Sequence, residues 1–76
     1  MNEKSQDVVR IVAEVVGLPL DQVGPNASME SLPEWDSLAQ LTICMHFQER
    51  FGVEMDMDAI ANATSIPALV ALLPTT

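Results

Sequence analysis

Residues 34–53 read EWDSLAQLTICMHFQERFGV, and this stretch decides the fold. It predicts a helix over residues 36–51, because Asp36 is a favourable N-cap and Gly52 is a typical residue at which a helix ends. Ser37 then lies at the helix N-terminus. Unpaired backbone N–H groups and the helix dipole favour a phosphate group at that position. Ser37 is therefore placed to carry a phosphate-linked group.

The predicted helix has two apolar stripes on nearly opposite sides. At about 100° per residue, Leu38, Leu41 and Met45 form one of them, here called the outward stripe. The other stripe is bulkier and contains Ile43, Cys44, Phe47 and Phe51. A helix at the edge of a small bundle buries one stripe, so we expect the bulkier one in the core and the outward stripe to dock a partner protein. The alternative is that the preceding loop covers the outward stripe.

Polar residues in and around this helix bear on the same assignment. Gln40 falls on the side of the bulkier stripe, near the helix start, which is an awkward position for an amide. Glu49 falls on the side of the outward stripe, where we expect it to pair with a basic residue of a partner. We also expect four further residues to take part in docking, namely Glu34, Trp35, Asp56 and Asp58.

Three more helices are predicted outside this stretch. Residues 3–16 place their valines and Ile11 within one arc of a helix, with the charged residues outside it. Residues 56–61 form a short third helix that begins near an aspartate. Residues 65–73 form the last helix, with Ser65 as its N-cap and Pro74 as its end.

Residues 17–35 form an unusually long connection between the first two helices. Loops of this length in compact domains are usually functional or are packed by their own side chains. We expect its apolar residues to hold it on the core, namely Leu18, Leu20, Val23, Met29 and Leu32. The chain is therefore predicted to be a single domain over residues 1–76, an all-α four-helix bundle with a long loop between helices 1 and 2 and a short third helix.

The composition limits the classes of function. The chain has 76 residues, 49% of them hydrophobic, and a net charge of −8, so nucleic-acid phosphates would be repelled and basic protein partners attracted. The charge also serves solubility. The lone cysteine, Cys44, fits a reducing compartment and a buried apolar role. We find no secretory signal and no run of about 20 apolar residues, so we expect a cytoplasmic protein.

Catalysis and metal binding are poorly supported by the residues. The only histidine, His46, lies nine residues beyond Ser37, about 13.5 Å along the helix axis, which excludes a Ser–His pair within this helix. Cys44 and His46 are two residues apart and diverge on a helix, so they do not suit one metal ion. Asp56 and Asp58 match no calcium-binding loop. We predict no catalytic residues and no metal site.

The chain resembles the acyl carrier proteins and related phosphopantetheine-binding carrier domains. The match runs through residues 34–38 (EWDSL) and 49–53 (ERFGV), and it continues more weakly from Ile60 to Leu72. Between the two strong segments it includes Leu41, Ile43 and Met45. The Asp-Ser-Leu tripeptide alone is weakly specific, but its spacing to Phe-Gly in a small acidic chain makes the resemblance strong.

The resemblance implies a four-helix carrier and a covalent cofactor. It implies that Ser37, next to the capping Asp36, takes a 4′-phosphopantetheine arm from coenzyme A through a Mg²⁺-dependent phosphopantetheinyl transferase. The thiol of the arm would hold acyl or aminoacyl groups as thioesters. On this interpretation the protein is a monomeric carrier and not an enzyme. Its partners would be a loading enzyme (ligase, adenylation enzyme or acyltransferase) and synthase, condensing or transferase enzymes.

The helix also departs from the family in its charge. Fatty-acid carriers are usually rich in acids along this outer face, whereas here only Glu49 is acidic, among Thr42, His46, Gln48 and Arg50. Trp35 before Asp-Ser resembles stand-alone carriers of specialised pathways. We therefore expect a polyketide, nonribosomal peptide or modified fatty-acid pathway. The alternatives are a housekeeping carrier of fatty-acid synthesis and an unmodified helical interaction module.

Overall fold

The computed structural model describes residues 3–73, and this part of the chain folds into four α-helices. The helices are α1 (Glu3–Val16), α2 (Ser37–Phe51), α3 (Met57–Asn62) and α4 (Ile66–Val70). The expected all-α, four-helix architecture, with its long first connection and short third helix, is confirmed. The last helix is shorter than expected because it ends at Val70 and a turn follows. Pro74, the expected end of that helix, lies outside the described residues.

Local signals in the sequence account for the ends of the helices. The carboxylate of Asp36 accepts a hydrogen bond from the Ala39 N–H at 2.8 Å, and Asp56 and Ser65 cap α3 and α4 in the same way. Gly52 ends α2 with a φ of 65°, a left-handed conformation that glycine adopts without steric cost. Each cap therefore sets where its helix starts or stops.

The core lies where α1 packs against α2 and α4. Its largest side chains are less than 2% exposed and come from the long loop and from all helices except α3, namely Trp35, Phe47, Ile43, Ile66, Leu69, Val8, Val12, Val23 and Cys44. The rings of Phe47 and Phe51 meet with centroids 5.0 Å apart. The bulkier stripe of α2 thus faces inward, as its periodicity predicts.

The long loop is held to the core by fewer of its apolar residues than expected. Val23 is buried and Leu18, Met29 and Leu32 are half-buried, but Leu20 is 50% exposed because it lies on a short 3-10 turn at the surface. The expectation that Leu20 packs inward is wrong. The loop is also joined to the start of α4 by two backbone hydrogen bonds, from Met29 N–H to Thr64 and from Ile66 N–H to Ala27, each 2.8 Å long.

Candidate functional site

Ser37 is the first residue of α2, and its side chain is exposed. Asp36, the residue before Ser37, has an extended backbone. Its carboxylate accepts a hydrogen bond from the Ala39 N–H and so caps the helix. The first N–H groups of a helix have no intrahelical acceptor, so they can bind an anion attached at Ser37. An accessible hydroxyl at a capped helix start therefore fits a phosphodiester-linked group.

The groups required for catalysis at Ser37 are not beside it. His46 is exposed on the same helix, about 13.5 Å further along its axis. Cys44 is buried, and desolvation raises the pKa of its thiol, which disfavours the reactive thiolate. Within residues 3–73 no group of three His, Cys, Asp or Glu side chains is placed to hold a metal ion.

The outward stripe is open to solvent. Leu38 is 73% exposed, Leu41 52% and Met45 63%, so the long loop does not cover them. Glu49 is exposed on the same helix. A contiguous row of exposed apolar side chains is costly to keep in water, and such surfaces commonly contact another protein.

Met57 is an exposed apolar residue that the sequence reasoning missed. It lies in the first turn of α3, is 81% exposed, and stands between the exposed Asp56 and Asp58. The sequence did contain a signal for its exposure, because a large apolar residue between two acids at the start of a short helix is expected to face the solvent with them. Met57 is therefore a further exposed apolar side chain, on α3 and not on α2.

Trp35 does not form part of the exposed surface. Its side chain is 1% exposed, and its indole N–H donates to the Oε1 atom of Gln40 at 2.7 Å. The expectation that Trp35 docks a partner is therefore wrong, because the indole packs in the core and its one polar group is satisfied there. Glu34, directly before it, is exposed.

The structure explains why Gln40, a polar amide, lies on the core side of α2. It is 4% exposed, and its Nε2 atom donates to the carbonyl oxygens of Ile60 at 2.7 Å and Ala63 at 2.9 Å. Together with Trp35 it forms a buried polar network that joins the end of the loop, the first turns of α2 and the end of α3. Its sequence signal was a polar residue at a core-facing position, with a donor tryptophan five residues earlier.

Comparison with known proteins identifies the family. The family described as "Phosphopantetheine attachment site" matches residues 6–73, which is most of the chain. The chain belongs to this phosphopantetheine-binding acyl carrier family. A similar carrier is the acyl carrier protein of Zymomonas mobilis subsp. mobilis, 30% identical over 73 residues, which cover 96% of this chain and 94% of that protein. The resemblance inferred from residues 34–53 is confirmed.

Family membership gives the carrier its cofactor. The matched domain is the site of covalent 4′-phosphopantetheine attachment, so this is the prosthetic group of the carrier. Carriers of this family interact with phosphopantetheinyl transferases and synthase enzymes. Among the helices of residues 3–73, none has the length and apolar character needed to cross a membrane.

Proposed function

We propose that Ser37 is the attachment residue for 4′-phosphopantetheine and that the protein shuttles acyl or aminoacyl thioesters between biosynthetic enzymes. The observation that carries this proposal is the exposed hydroxyl of Ser37 at the capped N-terminus of α2, within the matched domain. The helix dipole there stabilises a phosphodiester by about 0.3–1 kcal/mol.

The chain supplies the acceptor oxygen and the surface around it, and its partners supply the chemistry. In the attachment step the Ser37 hydroxyl loses its proton as its oxygen bonds to the pyrophosphate phosphorus of coenzyme A that carries the pantetheine. The pyrophosphate bond breaks, and the nucleotide part leaves. His46 is too far away to take the proton, and the neighbouring Asp36 carboxylate is held by the Ala39 N–H, so we assign the base to the transferase. When bound, the prosthetic group provides a thiol that holds the acyl group as a thioester.

The outward stripe and Met57 form the proposed docking surface. Exposed acids lie close to its apolar residues along the chain, namely Glu34, Glu49, Asp56 and Asp58. This surface is complementary to a partner surface with an apolar groove bordered by basic residues. Charge attraction speeds the encounter, and a small apolar contact allows rapid release, as a shuttle requires.

We infer a specialised pathway from the weak acidity of α2. Glu49 is the only acid of this helix, and the nearby polar residues are Thr42, His46, Gln48 and Arg50. Partner enzymes that recognise a strongly acidic helix would therefore bind it poorly. The loading partner would be a ligase, an adenylation enzyme or an acyltransferase. The alternative is a carrier of housekeeping fatty-acid synthesis. On either assignment the protein is a cytoplasmic substrate of enzymes and not itself a catalyst.

Intact mass tests the attachment residue. Incubation with coenzyme A and a broad-specificity phosphopantetheinyl transferase should add one phosphopantetheine group to the wild type and none to Ser37→Ala. Ser31→Ala, which removes another exposed serine, serves as the matched control and should be modified normally. A mass gain that survives Ser37→Ala would place the attachment elsewhere.

The family match, which brings the 4′-phosphopantetheine cofactor, disfavours the other candidate, an unmodified helical interaction module. Such a module would use the outward stripe and have no need of the Ser37 hydroxyl. It should bind its partner equally well as wild type and as Ser37→Ala. A carrier should lose the contacts that depend on the arm. A pull-down from lysate with both proteins separates the two functions.

A further inference from the structure

The methionines within residues 3–73 differ sharply in their exposure to solvent. Met45 is 63% exposed and Met57 is 81% exposed, whereas Met55 is only 7% exposed and Met29 is half-buried. Both exposed methionines belong to the proposed docking surface, Met45 in the outward stripe of α2 and Met57 at the start of α3. Their side chains are therefore open to small reagents in the solvent.

The thioether of methionine is a group that a mild oxidant can change. Hydrogen peroxide transfers an oxygen atom to the sulfur, so that the sulfur is oxidised and the peroxide is reduced and leaves as water. No carbon–sulfur bond breaks, and a polar sulfoxide replaces an apolar thioether. Leu38 and Leu41, the other residues of the outward stripe, have no group that reacts in this way. Oxidation would thus make part of an apolar docking surface polar.

The sulfur atoms of the core are protected from the same oxidant. Cys44 is 1% exposed, and burial raises the pKa of its thiol, so little of the reactive thiolate forms at neutral pH. Met55 is enclosed by the core in a similar way. Because the two exposed methionines contribute little to the core, their oxidation should change the surface while the helical bundle stays folded.

We propose that Met45 and Met57 are sites of reversible sulfoxidation by peroxide, and that their oxidation weakens the docking of partner enzymes. This inference rests on the proposed function, because it requires partners to dock on this surface. A docked sulfoxide oxygen would be buried against an apolar groove without its water partners, which weakens association by about fivefold to more than a hundredfold per site. Thiol-dependent reduction releases the oxygen as water, oxidises a pair of thiols to a disulfide and restores the thioether.

Peroxide treatment of the protein before phosphopantetheine attachment tests the proposal, since no thiol of the arm is then present to react. After catalase has removed the excess, peptide mass mapping should find oxygen on Met45 and Met57 before Met55. The kcat/KM of the broad-specificity transferase should fall by about fivefold or more. Methionine sulfoxide reductases, which act on the two sulfoxide epimers, should restore it with dithiothreitol as the thiol.

The outcomes separate this inference from the attachment itself. Faster oxidation of Met55, or complete oxidation of Met45 and Met57 with an unchanged kcat/KM, would overturn the inference. Urea unfolding should give the same midpoint before and after treatment, and a lower midpoint would also overturn it, because oxidation would then act through the fold. If the untreated protein gains no phosphopantetheine, the attachment at Ser37 fails, and the peptide mapping still decides the two oxidation sites.

Leucine variants test whether these two sulfur atoms are responsible. The double variant Met45→Leu, Met57→Leu keeps both side chains apolar and of similar volume but removes the thioethers. Each protein is compared with its own untreated sample, and peroxide should no longer lower the kcat/KM of the double variant. Met55→Leu, which removes a buried sulfur instead, should remain as sensitive as the wild type. Sensitivity that persists in the double variant would overturn the assignment to Met45 and Met57.

Discussion

Two substitutions of Asp36 distinguish its role as the cap of α2 from the effect of its negative charge beside Ser37. Its carboxylate accepts from the Ala39 N–H at 2.8 Å. Asp36→Ala should lower the free energy of unfolding by about 1 kcal/mol and slow phosphopantetheine attachment, because the helix start that presents Ser37 frays. Asp36→Asn retains a capping oxygen and should preserve most of both. Urea unfolding and the rate of mass gain measure the two effects.

Ser65 provides the control for that comparison. It caps α4 through the Ala68 N–H at 3.1 Å, so Ser65→Ala removes a cap of the same kind from another helix. This variant should lose a similar amount of stability, about 1 kcal/mol, without slowing attachment. If Asp36→Asn slows attachment as much as Asp36→Ala does, the negative charge and not the cap is what the transferase requires.

Cys44 makes stability depend on pH in the alkaline range. Burial raises the pKa of its thiol above the ordinary value of 9.0, so the unfolded chain ionises at a lower pH than the folded one. The stabilisation is complete below that ordinary value and is lost as the pH rises from there through the folded pKa. The free energy of unfolding should therefore fall more steeply with alkaline pH in the wild type than in Cys44→Ala. Parallel curves would show that the thiol does not titrate differently in the two states.

Alanine substitutions on the two faces of α2 should have opposite effects on stability and on loading. Leu41→Ala and Met45→Ala remove exposed side chains, so stability should change by no more than about 0.5 kcal/mol while loading by partner enzymes weakens. Ile43→Ala removes a side chain that is 0% exposed, and it should cost about 2–5 kcal/mol. Urea unfolding and the kcat/KM of the loading enzyme distinguish the two faces.

Leu20 is the matched control for the docking face. It is exposed to nearly the same extent as Leu41, 50% against 52%, but it lies on the 3-10 turn of the loop and not on α2. Leu20→Ala should leave both stability and loading unchanged. Equal losses of loading in Leu20→Ala and Leu41→Ala would mean that partners do not select the outward stripe.

The net charge of −8 acts on the molecule as a whole. Like charges repel one another in the folded chain, and salt screens this repulsion over about 10 Å at 0.1 M. The exposed ion pair between Asp7 and Arg50, 3.1 Å long, opposes the effect by at most about 1 kcal/mol. Urea unfolding should therefore show that stability rises with added sodium chloride. Glu54→Gln, which removes one exposed acid, should reduce that rise, whereas a fall with salt would indicate that attractive pairs dominate.

The sequence by itself determined the helices and the candidate attachment residue. Aspartate and serine caps, Gly52 and the apolar periodicity act over one or two turns, so residues close in the chain suffice to predict them. The same local geometry predicted the two faces of α2 and the position of Ser37 at its start. These features depend little on what the rest of the chain does.

Only the tertiary structure decided which polar and apolar residues near Ser37 face the solvent. Trp35 is buried because Gln40 accepts its N–H, and Gln40 is buried because it reaches carbonyls 20 and 23 residues further along the chain. Met57 is exposed because α3 turns that side chain away from the core. Such outcomes depend on contacts between segments distant in sequence, which no local pattern of residues encodes.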